Sequence, residues 1–317
     1  MLDSIRFVKG AVEKKSFVPD FSYFAIREGR IYGGNGVVTL SAPIAIDLEA
    51  YPKAETFGKL LEQCNGPISL ALTGSGRLRV QADGLRGFVD CLPTARTEPA
   101  PAPAAIAMRA PLLPVLRALV PFVSEDASRP WSRGVLLRQG FAHATNNVVL
   151  VRAPIVQEVP EINLPMKAVR ELLRIGEEPT GMALEATTAV FHYASGQWMR
   201  TSLLSCEWPN LERLFGLPFE YRQVFPDLQS CVERIKPFVD PARNSIIFRG
   251  SSVGTHTDPE FGVHLEMEHD YGEGTFSITY MQDVAAIAEN ILLVKGAPSG
   301  FTGGGITGVL AGMRDEG

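Results

Sequence analysis

The chain has 317 residues, 45% hydrophobic and 21% charged, with a formal net charge of −5. These values fit a folded globular protein of two or three domains and exclude disordered, fibrous and collagen-like classes. The opening Met1-Leu2-Asp3-Ser4-Ile5-Arg6 has no signal-like apolar run, apolar stretches such as 112–123 fall short of a membrane span, and Cys64, Cys91, Cys206 and Cys231 form no C-x-x-C pair, so a cytoplasmic protein with reduced, buried cysteines, no metal and no cofactor is expected.

Taken in chain order, apolar periodicity predicts an amphipathic helix over 3–15 and a strand over 21–27. A β-prone run, Val37-Val38-Thr39-Leu40, then closes on Ala42-Pro43-Ile44, and a second helix covers 51–64. The stiff, proline-rich stretch 93–103 reads as a linker. Beyond it the order recurs: helix 111–123, strand 134–138, the run Val148-Val149-Leu150-Val151 closing on Ala153-Pro154-Ile155, helix 164–175, and strands at 182–193 and 198–206. A break at 215–219 precedes a third pass with helix 224–239, strand 245–249 and helix 280–291.

The passes share residues as well as order. Ala42-Pro43-Ile44 returns at an offset of 111, Leu60-Leu61 returns as Leu172-Leu173 at 112, and Pro121-Phe122-Val123 returns as Pro237-Phe238-Val239 at 116. A period near one third of the chain predicts three units of one α+β design, at 1–103, 104–214 and 215–317. The six expected helices hold 12 Lys and Arg against nine Asp and Glu, a net of +3, which leaves −8 for the rest of a −5 chain. Helices gathered on one surface would offer a weakly basic face suited to non-specific phosphate contact; the alternative is helix propensity alone.

The second unit carries most of a resemblance to a known family. Gly134-Val135-Leu136-Leu137 leads to Ala144-Thr145-Asn146-Asn147-Val148-Val149-Leu150, similar to the Ala-Thr-Asp-Gly-His-Arg-Leu run of the bacterial-type DNA sliding clamp, the beta subunit of the replicative DNA polymerase. Leu164-Pro165-Met166-Lys167-Ala168-Val169-Arg170-Glu171-Leu172-Leu173 resembles its Leu-Pro-x-Lys-x-Leu-x-Glu-Leu helix. Trp208-Pro209-Asn210-Leu211-Glu212-Arg213-Leu214 stands for its Phe-Pro-Asp-Tyr-x-Arg-Val run, and Ala311-Gly312-Met313-Arg314 for its Met-Pro-Met-Arg ending. The drifted motifs fit a phage-encoded version.

The resemblance implies a homodimeric ring of six units, helices lining a hole and antiparallel sheets outside. Such a ring would encircle double-stranded DNA without reading its sequence, tether the replicative polymerase, and be opened by a clamp loader. It also implies DNA contacts at Lys9, Lys14, Lys15, Arg129, Trp131, Arg133, Lys167 and Arg170, and a pocket for partner peptides at Thr145, Asn147, Leu150, Pro209, Arg213, Leu214, Val309, Met313 and Arg314. For the dimer seam, Arg77 and Arg79 alternate on one strand and Glu266 and Glu268 on another, so each pair shares a face; edge strands carrying them could meet across the twofold.

Two other classes stay open in the sequence. Gly250-Ser251-Ser252-Val253-Gly254 matches G-x-S-x-G, a hydrolase nucleophile motif if a helix follows, or a hairpin loop if Thr255–Glu260 is a turn. His264, Glu266 and Glu268 with His269 could gather a metal or face solvent. Gly303, Gly305 and Gly308 fit G-x-G-x-x-G but read as a β-turn, with only nine residues after them. A peptide-binding scaffold of the same fold without a ring is the third class.

Overall fold

The computed structural model describes residues 1–94, 100–210, 212–258 and 260–313. The first pass of the chain is α1 (Leu2–Lys9), β1 (Ala25–Arg27), β2 (Arg30–Gly34), β3 (Val38–Pro43), α2 (Ala54–Glu62), β4 (Ser69–Leu72), β5 (Leu78–Ala82) and β6 (Leu85–Val89). The second opens with β7 (Ile106–Ala107) and runs α3 (Leu113–Leu119), β8 (Gly134–Arg138), β9 (Phe141–Thr145), β10 (Val149–Pro154), β11 (Ile162–Pro165), α4 (Met166–Ile175), β12 (Gly181–Leu184), β13 (Thr188–His192) and β14 (Trp198–Ser202). The third follows α5 (Glu212–Phe215) and β15 (Arg222–Gln223): α6 (Pro226–Ile235), β16 (Ser245–Arg249), β17 (Ser252–Gly254), β18 (His264–Glu266), β19 (Glu273–Ser277), α7 (Ile278–Ala285), β20 (Asn290–Leu292), β21 (Ser299–Gly303) and β22 (Ile306–Leu310). Helix, three strands, helix, three strands is the order of the first pass, and β11 and β19 add a fourth strand before the second helix in the other two, an α+β design built on antiparallel ladders.

The chain forms two compact units that cut across these passes: residues 1–113 with 164–204, and residues 114–163 with 205–317. The first holds a seven-stranded sheet, β1-β2-β3-β14-β13-β12-β7, and a three-stranded sheet, β4-β5-β6. The second holds β8-β9-β10-β22-β21-β20-β15 and a four-stranded sheet, β18-β17-β16-β19. In each large sheet, strands far apart in sequence meet at one antiparallel seam. In the first unit Val38, Thr39, Leu40 and Ser41 face Thr201, Arg200, Met199 and Trp198. In the second, Val149, Leu150, Val151 and Arg152 face Leu310, Val309, Gly308 and Thr307. The repeated Ala-Pro-Ile closes the strand at both places, so the two seams have one register.

Helix ends depart from the periodicity. α1 stops at Lys9 and not at 15: the Glu13 N–H, which in a longer helix would donate to the Lys9 carbonyl, donates to the Phe21 carbonyl (2.8 Å). α7 stops at Ala285 and not at 291, because Asn290 and Ile291 are drawn into β20 opposite Thr302 and Phe301. The start of the expected strand 21–27 is occupied by a turn of 3-10 helix at Pro19–Ser22. Over the six helices as they form, eight basic residues face seven acidic ones, so the excess of +3 shrinks to +1; Lys14, Lys15, Lys53 and Lys236 all fall outside. Of the cysteines only Cys231 is buried, and Cys206 is exposed.

The edge-strand assignment of the arginines is corrected. β5 is the central strand of its sheet, with Arg79 facing Ala71 on one side and Phe88 on the other, and Arg77 precedes the strand and pairs with Asp90 at 2.9 Å. Glu268 lies beyond β18, where the chain turns onto the start of α6 and the Glu268 N–H donates to Asp227 Oδ2 (3.0 Å). Glu266 does lie on an edge strand.

Candidate functional site

The second compact unit contains a cavity of about 300 Å³ lined by Arg129, Trp131, Thr145, Asn147, Val148, Leu150, Pro209, Leu214, Pro298, Val309 and Ala311. Its floor is the sheet. Thr145 and Leu150 are cross-strand partners, Leu150 faces Val309, and alternation turns all three the same way. One wall is aromatic: Trp131 meets Trp208 edge to face at 5.1 Å, and Leu136, Leu150 and Trp208 form a buried cluster on which Leu214 and Phe215 pack. The Trp131 segment is held by Asn163, whose Nδ2 donates to the Trp131 carbonyl (2.9 Å).

The lip of the cavity is a pinned loop. Thr145 Oγ1 donates to the Val149 carbonyl (2.8 Å) and accepts the Asn147 N–H (3.0 Å), while Asn146 Oδ1 accepts the N–H groups of Val148 and Val149. Asn147 takes the left-handed conformation (φ 74°), which Asn tolerates better than most residues. A cavity of this size, apolar with few polar groups, suits one or two side chains of a short peptide.

Six of the nine expected pocket residues meet here: Thr145, Asn147, Leu150, Pro209, Leu214 and Val309. Arg213 is exposed and does not line the cavity. Met313 turns away, because the Ala311 N–H donates to the Val148 carbonyl (2.8 Å) and the Met313 N–H to the Thr275 carbonyl (2.7 Å), carrying the tail toward β19. Arg314 lies outside the described residues. Arg129 and Trp131, expected against DNA, form part of the pocket wall. Val148, Pro298 and Ala311 were missed; Ala311 and Val148 adjoin quoted motifs, whereas nothing in the sequence marks Pro298.

The remaining cationic positions are surface residues. Lys9, Lys14, Lys15, Lys167 and Arg170 belong to the first unit, Arg133 to the second. Lys14 and Lys15 are exposed on a loop closed by the Glu13 N–H to Phe21 carbonyl bond (2.8 Å). Lys9 pairs with Glu62 (3.4 Å) and Lys167 with Glu13 (3.7 Å), exposed pairs that blunt their charge at little gain in stability.

The hydrolase motif folds as a hairpin. Gly250 turns at φ 61°, and Ser252 opens the antiparallel strand β17, its Oγ donating to the Arg249 carbonyl (3.3 Å), so it is not at the mouth of a helix. His264 Nε2 bonds the Phe261 carbonyl (2.9 Å), while His269 stacks on Phe225 at 3.8 Å and pairs with Asp227. Among the described residues no His, Cys, Asp and Glu converge on a metal-sized site. Gly304 and Gly305 form the turn between β21 and β22. Among the described residues no helix is long and apolar enough to cross a membrane.

No family model and no curated protein matches the sequence. Solved structures do match. The beta subunit of DNA polymerase III from Pseudomonas aeruginosa superposes with a TM-score of 0.81 at 17% identity, over 99% of this chain and 97% of that one. The DNA polymerase sliding clamp of Bacillus subtilis gives 0.79 at 14% identity, over 99% and 96%. The DNA polymerase III beta subunit of Thermotoga maritima gives 0.78 at 16%, over 99% and 96%. The chain has the fold of the bacterial DNA sliding clamps.

Proposed function

We propose that this chain is a processivity factor: two copies close a ring of six clamp units around double-stranded DNA, and the ring tethers a replicative polymerase after a loader has opened it. The chain then divides into units at 1–103, 104–214 and 215–317, as the threefold recurrence of helix and strand order supports. Its work is topological and cytoplasmic, and it performs no reaction of its own. Ser252, at the start of an antiparallel strand, gives the hydrolase alternative no support.

The observation that carries the reading is the pair of seams. β3 joins β14 and β10 joins β22: each time the third strand after the first long helix of one pass meets the last strand of the next. One strand of each kind remains at a sheet edge, β18 in the third pass and β6 in the first. A second copy is the partner that would continue the series, head to tail, with twofold closure. The register follows by equivalence. His264 faces Gly254 as Arg152 faces His143, and Gly87 faces Val80 as Gly308 faces Phe301. His264 of one copy then lies opposite Arg86 of the other, Gly262 opposite Phe88, and Phe261 opposite Val89.

Exposure agrees with that register. Phe261 is 58% exposed and Phe88 40%, large apolar side chains on the two segments that would meet. Glu266 becomes a diagonal neighbour of Arg86, which takes the role first given to Arg77 and Arg79. Static light scattering tests this directly. The expected result is twice the 34.5 kDa chain mass for the wild type and a lower mean mass at the same concentration for F261D; a monomeric wild type at micromolar concentration would sink the ring.

A further inference from the structure

Next to the pocket, on the same face of the sheet, sits an arginine that the pocket does not use. Leu150 lines the cavity, and two residues along β10 Arg152 projects to the same side. Its guanidinium lies over the Phe141 ring at 4.7 Å and over the Phe215 ring at 4.3 Å. Phe215 belongs to the apolar packing that also holds Leu214, a pocket residue, so the arginine's aromatic contacts and the cavity share a wall. Among the described residues no carboxylate pairs with Arg152, whereas Arg138 on β8 is matched by Glu161 at 2.6 Å. His143, cross-strand partner of Arg152, is buried with Nδ1 lacking a hydrogen-bond partner among the described residues. Among the described residues the charged member of the cavity lining is also cationic, Arg129, and no acidic residue lines it.

We infer that Arg152 reads an acidic residue on the segment that fills the pocket: a short extended peptide with an apolar side chain in the cavity and a carboxylate two residues away. The inference rests on the peptide-pocket reading and adds to it a charge and a spacing. The two rings engage the guanidinium through cation–π contact, which leaves its N–H groups to take a carboxylate through paired hydrogen bonds. Residues i and i+2 of an extended peptide lie about 6.6–6.8 Å apart on one face, the same step that separates Leu150 from Arg152 along β10. With Arg129 in the cavity lining as well, a basic peptide is repelled and an acidic one attracted, so the site discriminates by charge as well as by shape.

The test uses the full-length protein and fluorescein-labelled octapeptides with blocked ends. Each peptide has one central leucine and carries Glu, Gln or Lys two residues before or after it. Anisotropy titrations should show, for one of the two placements, Glu binding roughly fivefold tighter than Gln, and Lys weaker than both. R152Q should erase the preference for Glu while binding the Gln peptide as the wild type does, which also shows that the variant is folded. R152K should keep part of the preference. Equal affinity for Glu and Gln in both placements, or a preference that survives R152Q, overturns the inference and leaves the pocket standing. Failure of every peptide to bind overturns the pocket reading and this inference with it.

Discussion

Pro121-Phe122-Val123 and Pro237-Phe238-Val239 are the same three residues at the ends of corresponding helices, and in both places they close a single turn of 3-10 helix. Phe122 is 1% exposed, with Phe301 of β21 6.4 Å from its ring; Phe238 is 59% exposed. Local sequence sets the turn in both, and burial is decided by what arrives from elsewhere. For Phe122 the cover comes from the sheet in which β10 meets β22. For Phe238 the proposed cover is the first unit of a second copy, and on that proposal its exposure marks an interface.

The largest effect should separate those two phenylalanines. F122A should lower unfolding free energy by about 3–5 kcal/mol, as expected for a buried ring leaving a cavity. F238A should change the unfolding of an isolated chain by less than about 0.5 kcal/mol, as for a surface residue, while weakening self-association. Denaturant melts of both variants at low concentration check this, and equal losses would erase the contrast.

Acid should sharpen the difference between sealed and open parts of the second unit. Burial, with Arg152 and Arg138 nearby, pushes the His143 imidazole down to about 4, so the fold prefers the neutral ring. Protons then bind the unfolded chain more readily, and stability present above pH 6.5 is lost progressively as pH falls toward 4. The full loss is about 3 kcal/mol at 1.36 kcal/mol per unit. H143L should flatten that slope in melts between pH 7 and pH 4; an unchanged slope would place the acid sensitivity elsewhere.

Smaller effects belong to the edges. F261D or F88D should weaken the dimer at least tenfold, about 1.4 kcal/mol, with little change in chain folding. Exchanging charge at Arg86 and Glu266 should move the dimer constant by only about 0–1 kcal/mol, and the double reversal should restore what either single reversal costs. Sedimentation equilibrium reads both, and a double reversal that fails to rescue would remove the proposed register. On open DNA, K14A, K15A and R133A together should lower affinity and the salt slope without creating sequence preference.

Much of this architecture is legible in the residues. The strands 134–138 and 245–249 form over the stated spans, and the repeated Ala-Pro-Ile falls at equivalent strand ends. What periodicity does not carry is neighbourhood. Alternation gives the shared face of Arg77 and Arg79 but not that β5 is flanked on both sides, because pairing is made by strands arriving from elsewhere. Helix ends fail for the same reason: the Glu13 N–H goes to the Phe21 carbonyl, and Asn290 and Ile291 are claimed by the strand opposite Thr302 and Phe301. In the pocket, the family-like runs lead to Thr145, Leu150, Pro209 and Val309, whereas Trp131 and Pro298 reach it through tertiary folding of loops. Met313 departs through one backbone hydrogen bond to Thr275 that no spacing encodes.

The most direct measurement is retention on DNA of defined topology. After a loader has acted, the protein should co-elute with nicked circular DNA through a gel-filtration column in high salt. It should be lost when a restriction enzyme linearises the circle, because a closed ring holds by linkage and not by affinity. Equal retention on circular and linear DNA, or loss from both, would contradict the ring.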